Sequence, residues 1–459
     1  MKINFKEEVL KRKDDLIKDL QNLIKINSEL TTFDPKRVGA PFGEGNKEAL
    51  DFMLDLANKD GFKTLNVDGY AGHIELGDQN EYVAIMGHLD VVPAGSDWTY
   101  PPYGAEIHEN KMYGRGTEDD KGPTMAAYYA MKILNELDVK LSKRVKLILG
   151  LDEESGWRCV EHYFKRHPEV PVSGFIPDAD FPLIYAEKGI VRINIEGSFN
   201  NNNLISFNGG LRDNMVPDLA TAKIKYDNDD FKEVFNKYLE TNNLVGKVLN
   251  KDSNIFEVEV SGKSAHGSTP ELGINAIDKL NNFILSLGIN NELTAFIDKY
   301  LANETDGNKL GVKYFDEEMG PLTVNFGVLK TNNTKFTATL NLRYPNGVVF
   351  EDLLNHLKDL LKEFNVSYNH HQKLLYNDPN SELVNTLMDV YRKHTNDLEA
   401  KPLVIGGGTF ARAIPNVVAF GPHFPGKPSY IHQRDEYIDL DDFILATIIY
   451  TEALYKLAK

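Results

Sequence analysis

The sequence predicts an α/β protein of two domains, one of which is interrupted in the chain by the other. Its 459 residues exceed what a single hydrophobic core usually organises. Helix and strand patterns alternate up to about residue 186 and resume after about residue 377, whereas strands and asparagine-rich loops dominate the segment between them. We therefore expect residues 1–186 and 377–459 to form a domain with a mixed, mainly parallel sheet flanked by helices. Residues 187–376 are expected to form an inserted α+β domain.

The elements of the first domain follow from the spacing of its apolar residues. Helices are predicted where apolar residues recur every three or four positions, and strands where short apolar runs stop at turn residues. The predicted helices cover residues 5–27, 46–60, 121–136 and 157–166, and the predicted strands cover residues 63–67, 71–76, 81–87, 145–151 and 173–176. Residues 29–45 and 93–112, which are rich in glycine and proline, are predicted as loops.

The rest of the chain changes pattern twice. In the inserted domain, strands are predicted at residues 190–196, 222–226 and 256–262, and a helix begins near Asn275. After residue 377, helices are predicted over residues 381–394 and 440–457. Between them lies the glycine-rich turn Gly406–Thr409, which lacks the spacing of a nucleotide-binding loop.

Composition excludes several classes of protein. The net charge of −17 disfavours nucleic-acid partners, because an acidic surface repels phosphate backbones. The single cysteine, Cys159, cannot form an internal disulfide and is predicted to be buried and inert. The first residues are charged, with no apolar signal segment, and no apolar run approaches the ~20 residues of a membrane helix. We expect a cytoplasmic protein without a membrane partner.

The first chemical signal is a histidine at the end of the apolar run 84–87. His88 is followed two positions later by Asp90, and residues i and i+2 of a strand point to the same side. Asp90 can therefore orient one ring nitrogen of His88 while the other nitrogen binds a metal ion.

Three acidic signals follow other predicted elements. Asp119 and Asp120 end a glycine-punctuated loop, Asp152–Glu154 follows the strand 145–151, and Asp178 follows the strand 173–176. Ligands of open α/β sheets bind at the carboxyl ends of the strands. Each signal alone is typical of a helix cap or a solvated loop. Together, one imidazole and several carboxylates suit one or two divalent cations such as zinc, manganese or cobalt.

These segments carry a family resemblance. His88–Pro93 matches the pattern HxDxVP, Gly114–Gly122 matches GRG…DDKG, and the Glu153–Glu154 pair and Asp178 follow in order. The chain resembles the M20 family of metal-dependent peptidases and deacylases, and within it the bacterial dipeptidase V group. The segments Asn214–Asp218 and Ile405–Thr409 also look like that group.

The resemblance implies a centre of two divalent metal ions, zinc first, with manganese or cobalt as alternatives. Asp119 would bridge the two ions. His88 and Asp178 would complete one site, and Glu154 and His432 the other. Glu153 would be the general base toward a water bridging the ions, and Asp90 would orient His88. The resemblance also implies a cis peptide bond between Asp119 and Asp120.

Further residues receive substrate roles only through the resemblance. Taken alone, Asn214, His266 and Arg343 are typical of a turn asparagine, a loop histidine and a strand-face arginine. The resemblance implies that His266 stabilises the oxyanion and that Arg343, with Gly408 and Thr409, binds the C-terminal carboxylate of the substrate. Asn214 would meet its free amino end, so dipeptides would be accepted and longer chains rejected. The inserted domain would be a lid that closes over a hinge near residues 187 and 376, and the protein would be a monomer.

Two other functions stay open. An N-acyl-amino-acid deacylase, desuccinylase or carboxypeptidase of the same family would share every metal ligand, although the long inserted domain and the DDKGP, NMVPD and GGGTFAR segments favour a dipeptidase. A non-catalytic, metal-dependent peptide-binding protein is the third possibility. Such a protein is expected to lack Glu153 or a metal ligand, and this sequence has all of them.

Overall fold

The computed structural model of the protein describes residues 3–459, and its chain divides into two compact units. Unit 1 comprises residues up to Ala186, then Tyr376–Leu403 and Thr409–Lys459. Unit 2 comprises Glu187–Leu375 and Val404–Gly408. The prediction had assigned all of residues 377–459 to the first domain, whereas the structure groups Val404–Gly408 with unit 2. Residues 1 and 2 of the predicted first domain lie outside the described residues.

Eleven α-helices are present among residues 3–459. They are α1 (Phe5–Leu10), α2 (Lys13–Ile24), α3 (Glu44–Lys59), α4 (Lys121–Glu136), α5 (Arg158–Arg166), α6 (Phe231–Thr241), α7 (Ala276–Ser286), α8 (Glu292–Phe296), α9 (Phe350–Leu360), α10 (Glu382–Thr395) and α11 (Leu440–Ala458). Short 3₁₀ helices at Pro270–Leu272 and Phe410–Ala413 and a π-helical turn at Ile297–Leu301 complete the helical structure of these residues. None of these helices is long and apolar enough to cross a membrane.

The strands of the described chain are mostly short. They are β1 (Lys63–Val67), β2 (Ala71–Leu76), β3 (Tyr82–His88), β4 (Glu106–His108), β5 (Lys111–Tyr113), β6 (Arg144–Gly150), β7 (Ser173–Ile176), β8 (Ala179–Asp180), β9 (Ile184–Glu187), β10 (Gly189–Ser198), β11 (Leu204–Gly209), β12 (Leu219–Lys225), β13 (Val245–Asp252), β14 (Ile255–Ser261), β15 (Phe315–Asp316), β16 (Gly320–Pro321), β17 (Thr323–Asn332), β18 (Lys335–Tyr344), β19 (Asn365–Gln372), β20 (Leu375–Tyr376), β21 (Leu403–Ile405), β22 (Val417–Ala419), β23 (Pro422–His423) and β24 (Tyr437–Asp439).

The main sheet of unit 1 is mixed, and helices flank it, which confirms the predicted fold class. Seven of its nine strands run in the order β1-β2-β6-β3-β7-β22-β9. The central neighbours β6, β3, β7 and β22 pair in parallel, whereas β1, β2 and β9 pair antiparallel at the two sides. All seven residues of β3 are buried, as expected for a strand that is covered on both faces. Helix α4 packs against β3, α2 and α11.

Unit 2 contains an antiparallel sheet of eight strands in the order β13-β14-β12-β11-β17-β18-β10-β19. One face of this sheet packs on the helices α6 to α9 and carries the apolar core of the unit, including Val258, Phe283, Leu340 and Leu357. The other face of β18 is polar, because Asn341 and Arg343 alternate with Leu340 and Leu342. Unit 2 is therefore an α+β unit with a polar sheet face.

Two predicted elements are wrong in detail. The helix predicted over residues 5–27 is two helices, because Arg12 leaves the helical conformation and its Nη1 donates to the carbonyl oxygen of Glu8 at 2.7 Å. The loop predicted over residues 93–112 contains β4 and the start of β5, which pair with each other, while β5 also pairs with β24. Three-residue strands carry too little alternation to be recognised, and β24 lies more than 300 residues further along the chain.

Candidate functional site

The polar residues predicted from the motifs of unit 1 meet at one edge of its sheet. His88 is the last residue of β3 and lies opposite Gly150, the last residue of β6. Strand β7, which ends two residues before Asp178, pairs with β3 on the other side. Because these strands are parallel, the residues that follow them emerge at the same edge.

His88 and Asp90 form the buried floor of this edge. The ring nitrogen Nδ1 of His88 lies 2.9 Å from the backbone oxygen of Asp90, and the carboxylate oxygen Oδ1 of Asp90 is further away at 3.5 Å. The Asp90 carboxylate instead accepts the backbone N–H groups of Glu153 and Glu154, both at 3.1 Å. Asp90 therefore contacts His88 through its backbone oxygen and more distantly through its carboxylate, which also fixes the adjacent glutamates.

Asp119 lies between two histidines. Its Oδ1 is 3.0 Å from Nε2 of His88, and its Oδ2 is 3.0 Å from Nε2 of His432. The predicted cis peptide bond between Asp119 and Asp120 is confirmed. Gly87 allows the Asp120 carboxylate to lie close to the backbone of β3. A Cβ atom at position 87 would be only 2.6 Å from that carboxylate.

The two remaining predicted ligands lie beside the same histidines. Glu154 Oε1 is 3.0 Å from Nε2 of His432, and Asp178 Oδ2 is 3.8 Å from Nε2 of His88. The ligand atoms of His88, Asp119 and Glu154 all lie within 4.8 Å of one another. The fold thus brings together all five residues that the sequence offered as metal ligands.

The electrostatics of this cluster favour a cation. In the described part of the chain, no lysine or arginine forms an ion pair with Asp119, Glu154 or Asp178, so only imidazoles balance these carboxylates. Hydrogen bonds with Asp119 and Glu154 raise the pKa of His432 to about 10. Burial and the neighbouring Asp119 raise the pKa of Asp178 well above its ordinary value. Imidazole and carboxylate oxygen are the donors that zinc, manganese and cobalt accept, so the cluster fits such ions.

Glu153 lies next to the cluster with a different partner. The indole Nε1 of Trp157 donates a hydrogen bond to Glu153 Oε1 at 3.2 Å. Burial raises the pKa of Glu153 to about 8; the nearby His88 opposes this shift, and the carboxylates of Glu154 and Asp119 add to it. A carboxylate with a pKa close to neutrality is suited to accept a proton and to return it.

In unit 2, His266 is held by Ser268. The Nδ1 atom of His266 is 2.6 Å from Ser268 Oγ and accepts the backbone N–H of Ser268 at 3.3 Å. Burial and the charge of Arg343 lower the pKa of His266. The imidazole is therefore neutral near pH 7, and because Nδ1 is the acceptor, Nε2 carries the proton and can donate it.

Arg343 belongs to a hydrogen-bonded chain on the polar face of the unit 2 sheet. Its Nε donates to Asn341 Oδ1 at 3.0 Å, and its Nη1 donates to the carbonyl oxygen of Gly406. The Asn341 amide donates in turn to Asp213 Oδ2 at 2.9 Å, and Arg192 pairs with Asp213 Oδ1 at 2.6 Å. The side chains of this chain, but not Gly406, line a cavity of about 730 Å³.

The loop that carries Asn214 is fixed from two directions. The side chain of Asn325 donates to the backbone oxygens of Asp213 at 2.7 Å and of Met215 at 2.8 Å. The backbone oxygen of Asn214 accepts the N–H of Gly267 at 2.7 Å, so the loop also pairs with the His266 segment. The Asn214 side chain is left exposed beside the cavity of about 730 Å³.

Gly408 and Thr409 fall on either side of the division between the units. Gly408 is an exposed residue of unit 2, whereas Thr409 is a buried residue of unit 1. The hydroxyl of Thr409 accepts the N–H of Ala411 at 3.1 Å and so caps a short 3₁₀ helix. The predicted substrate residues Asn214, His266, Arg343 and Gly408 therefore belong to unit 2, and the predicted metal ligands to unit 1.

Comparison with known proteins decides the family. The family model described as "Peptidase family M20/M25/M40" matches residues 84–456. The chain belongs to this M20 peptidase family. It is 42% identical over 475 residues to a Bacillus subtilis (strain 168) protein named "Putative dipeptidase YtjP", with 100% of both chains covered. It is 40% identical to a "Putative dipeptidase" of Staphylococcus epidermidis, with 99% of both chains covered. The predicted M20 resemblance is thereby confirmed.

Solved structures share the M20 fold at low sequence identity. Human carnosine dipeptidase 1 matches with a TM-score of 0.56 and 15% identity, covering 99% of both chains. An M20 family metallo-carboxypeptidase from Sulfolobus solfataricus matches with a TM-score of 0.57 and 19% identity, covering 96% of this chain and 98% of the other. These likenesses establish that the M20 fold extends over nearly the whole chain.

Several contacting residues had no signal in the sequence. Trp157, Ser268 and Asn341 each contact a predicted site residue, and Asp213 contacts Asn341, but they stand in no recognisable motif. Glu436 is an exception, because it stands four residues after the predicted ligand His432. This short spacing from a predicted ligand is the sequence signal by which Glu436 can be found.

Proposed function

We propose that the protein is a metal-dependent dipeptidase that hydrolyses the peptide bond of unblocked dipeptides. The observation that carries the proposal is the Asp119 carboxylate, whose two oxygens lie 3.0 Å from two different imidazoles. A carboxylate in this arrangement is suited to hold two cations side by side, which is the requirement of a dinuclear hydrolase. The names of the relatives at 42% and 40% identity support the choice of dipeptides.

The proposed ligands are Asp119 shared by two ions, His88 and Asp178 on one side, and Glu154 and His432 on the other. Each ion would then have one imidazole and two carboxylates as ligands, with Asp119 belonging to both sets. Neither ion would have the four protein ligands that are typical of a structural site. The bound ions would supply Lewis acidity toward water and the substrate carbonyl oxygen. Zinc is the first choice, and manganese and cobalt suit the same donors.

Glu153 is the proposed general base and acid. Its Oε atoms would take the proton of the attacking water and later deliver it to the amine that leaves. Its pKa of about 8 supports both steps, because the carboxylate is neither too weak a base nor too weak an acid near neutral pH. The Trp157 indole restrains one of its oxygens and leaves the other for the proton transfer.

The substrate contacts are proposed for residues of unit 2 and the adjoining glycine-rich turn. The guanidinium of Arg343 suits the C-terminal carboxylate of a dipeptide, together with the backbone of Gly408 and the hydroxyl of Thr409. His266 Nε2–H is the proposed donor to the oxyanion, and the exposed side chain of Asn214 is proposed for the free amino end. A site that binds both ends of the substrate selects its length.

The test combines metal exchange with a choice of substrates. The protein is stripped with a chelator, reloaded separately with zinc, manganese or cobalt, and assayed on a dipeptide, the matching tripeptide and the matching N-acetyl amino acid. Metal-dependent cleavage of the dipeptide alone is the expected result. Cleavage of the N-acetyl compound instead would make the protein a deacylase, and cleavage of the C-terminal residue of the tripeptide would make it a carboxypeptidase.

A matched variant separates catalysis from binding. Glu153→Gln keeps the size of the side chain and removes its basicity, so kcat is expected to fall by about 10²- to 10⁴-fold with metal content unchanged. A Glu153→Gln variant with the parent rate would remove Glu153 from the mechanism. Metal and dipeptide binding without turnover in the parent protein would identify a binding protein instead.

A further inference from the structure

Glu436 is a fully buried glutamate that the proposed reaction does not use. It lies just before β24 in unit 1, and both of its carboxylate oxygens point at the segment Gly114–Asp119. Its Oε1 accepts the backbone N–H groups of Gly116 at 3.0 Å, of Glu118 at 2.9 Å and of Asp119 at 3.3 Å. Its Oε2 accepts Nη1 of Arg115, which is also buried.

The contacts of Glu436 continue along its backbone. Its carbonyl oxygen accepts the N–H of Gly114 at 2.9 Å, so one residue contacts the segment at both ends. The preceding residue, Asp435, accepts the backbone N–H of Thr99 at 2.7 Å and its hydroxyl at 3.0 Å. The chain around Glu436 is thereby anchored independently of the segment that it contacts.

The burial of Glu436 has a cost in free energy, because a carboxylate removed from water loses its hydration. Several hydrogen-bond donors must compensate for that loss. Here the compensating donors are concentrated on one short segment, and one of them is the backbone N–H of Asp119 itself. The position of the Asp119 backbone governs where its two carboxylate oxygens lie relative to His88 and His432. His432 stands only four residues before Glu436, so the same residue links both sides of the cluster.

We propose that Glu436 is a positioning residue for the metal centre: it holds the Gly114–Asp119 segment so that the Asp119 carboxylate can meet both ions. The inference rests on the proposed function, because it concerns the ligand that would bridge the ions. Arg115 serves the same purpose through Glu436. A carboxylate with a purely structural role would stabilise unit 1 without altering its affinity for metal.

The test measures metal affinity in Glu436→Ala and Glu436→Gln, with Glu452→Gln as a matched control. Glu452 is another buried glutamate of unit 1, paired with Lys393 at 2.6 Å and His394 at 2.7 Å, and it is no part of the metal cluster. Zinc affinity is determined by competition with a chromogenic chelator. The visible absorption spectrum of the cobalt form reports ligand geometry, and circular dichroism of the metal-free protein reports folding.

Glu436→Ala is expected to bind zinc about 10- to 100-fold more weakly and to give an altered cobalt spectrum, with metal-free circular dichroism like that of the parent. Glu436→Gln, which keeps an acceptor oxygen, is expected to recover part of this affinity. Glu452→Gln is expected to melt at a lower temperature with zinc affinity unchanged. Parental zinc affinity and cobalt spectrum in Glu436→Ala would overturn the inference.

Two further outcomes are assigned in advance. If Glu436→Ala does not fold, Glu436→Gln decides: weaker zinc binding supports the inference, and parental binding overturns it. A parent protein that binds zinc but cleaves no dipeptide would overturn the proposed function alone, since this comparison measures affinity rather than turnover. A parent protein that binds no divalent metal would overturn the inference.

Discussion

At the scale of single residues, the indole of Trp157 contacts the proposed base Glu153. Its Nε1 donates to Glu153 Oε1 at 3.2 Å, and a donor of this kind favours the ionised carboxylate. The ring of Trp157 also packs against Phe410, whose ring in turn packs against His88. The donor is therefore held in place by the same aromatic contacts that flank the candidate metal site.

Replacing Trp157 by phenylalanine should move the pH profile of the enzyme. Without the indole donor, the pKa of Glu153 rises further, so the acidic limb of kcat/KM shifts to higher pH. Because a hydrogen bond to a charged group contributes about 1.5–3 kcal/mol, the rate at pH 7 should fall roughly tenfold or more. The measurement is kcat/KM from pH 5 to pH 9. Trp98→Phe, which removes a donor to the carbonyl of Ala94, is the control and should leave the profile in place.

Asp278 shows a second residue-scale effect, in which burial costs stability. Its Oδ2 accepts the N–H of Asn303 at 2.8 Å, whereas its Oδ1 has no hydrogen-bond partner. Burial raises the pKa of Asp278 to about 6. The unfolded chain loses this proton near pH 4, so folding is penalised increasingly between pH 4 and pH 6, and the penalty persists above pH 6.

Asp278→Asn should therefore gain stability relative to the parent as the pH rises. The expected gain is close to zero near pH 4 and reaches at most about 3 kcal/mol above pH 6. Calorimetric melting of both proteins at pH 4.5, 6 and 7.5 measures it. Asp298→Asn, an exposed site in the same unit, should show no such trend. An equal difference between Asp278→Asn and the parent at all three values would contradict the assignment.

The metal-ligand candidates could be predicted from sequence because each follows a local element in a short motif. His88, Asp119, Glu154 and Asp178 stand at strand ends or at the start of a helix, where few residues decide their environment. Trp157 and Asn341 could not be assigned in this way, because their partners are chosen by packing rather than by spacing. The roles of the predicted site residues remain predictions.

At the scale of elements, the polar face of β18 connects two predicted substrate residues. Asn341 lies between Arg343 and Asp213, at 3.0 Å and 2.9 Å, and Asp213 precedes Asn214 in the chain. The three polar groups are nearly buried, so the loss of Asn341 removes a hydrogen bond from both Arg343 and Asp213 where water cannot readily replace it. Asn341 of β18 thus links the Asp213 loop to the Arg343 guanidinium by hydrogen bonds.

Asn341→Leu is expected to weaken substrate binding more than it slows the chemical step. Without the hydrogen bond from its Nε to Asn341, Arg343 is held less firmly, and KM for a dipeptide should rise about tenfold while kcat changes little. Thr339, which also lies on β18, donates a hydrogen bond to Asn194 of β10 at 3.0 Å. Thr339→Val is the control, because it removes this hydrogen bond without touching Arg343. A tenfold lower kcat with unchanged KM for Asn341→Leu would contradict this role for β18.

Several elements of unit 1 were predictable from their own residues, whereas the hairpin of β4 and β5 was not. The predicted helix at residues 121–136 matches α4, because apolar residues recur along all of it. The hairpin of β4 and β5 was missed, because its stability comes from pairing with β24 rather than from its own sequence. Short elements are decided by contacts that are distant in sequence, which no local pattern records.

At the scale of the whole molecule, the proposed metal ligands lie in unit 1 and most of the proposed substrate contacts in unit 2. The mixed α/β fold followed from the alternation of helix and strand patterns in the sequence. The assignment of Val404–Gly408 to unit 2 did not, because so short a segment carries no domain signal of its own.

Metal removal should accordingly affect one unit only. A ligand whose concentration is 100 times its Kd stabilises the folded state by about 3 kcal/mol. Removing the metal with a chelator should therefore lower the stability of unit 1. Hydrogen exchange should accelerate at residues 88–90, 116–120 and 152–156, and exchange in β14 of unit 2 should stay unchanged. The control is Asp119→Asn, in which the chelator should have little further effect. Equal acceleration in β14 would show that the metal stabilises both units.

The position of β22 in the main sheet has a consequence for protein synthesis. This strand, Val417–Ala419, lies between β7 and β9, although both of those strands precede Gly189 in the chain. At about 5–20 residues per second, β7 leaves the ribosome roughly 10 to 50 seconds before β22 is available to pair with it. All of unit 2 is synthesised within that interval. Unit 2 can therefore be complete while the sheet of unit 1 still has an open edge, and a chain that terminates before residue 417 would expose that edge to aggregation or proteolysis.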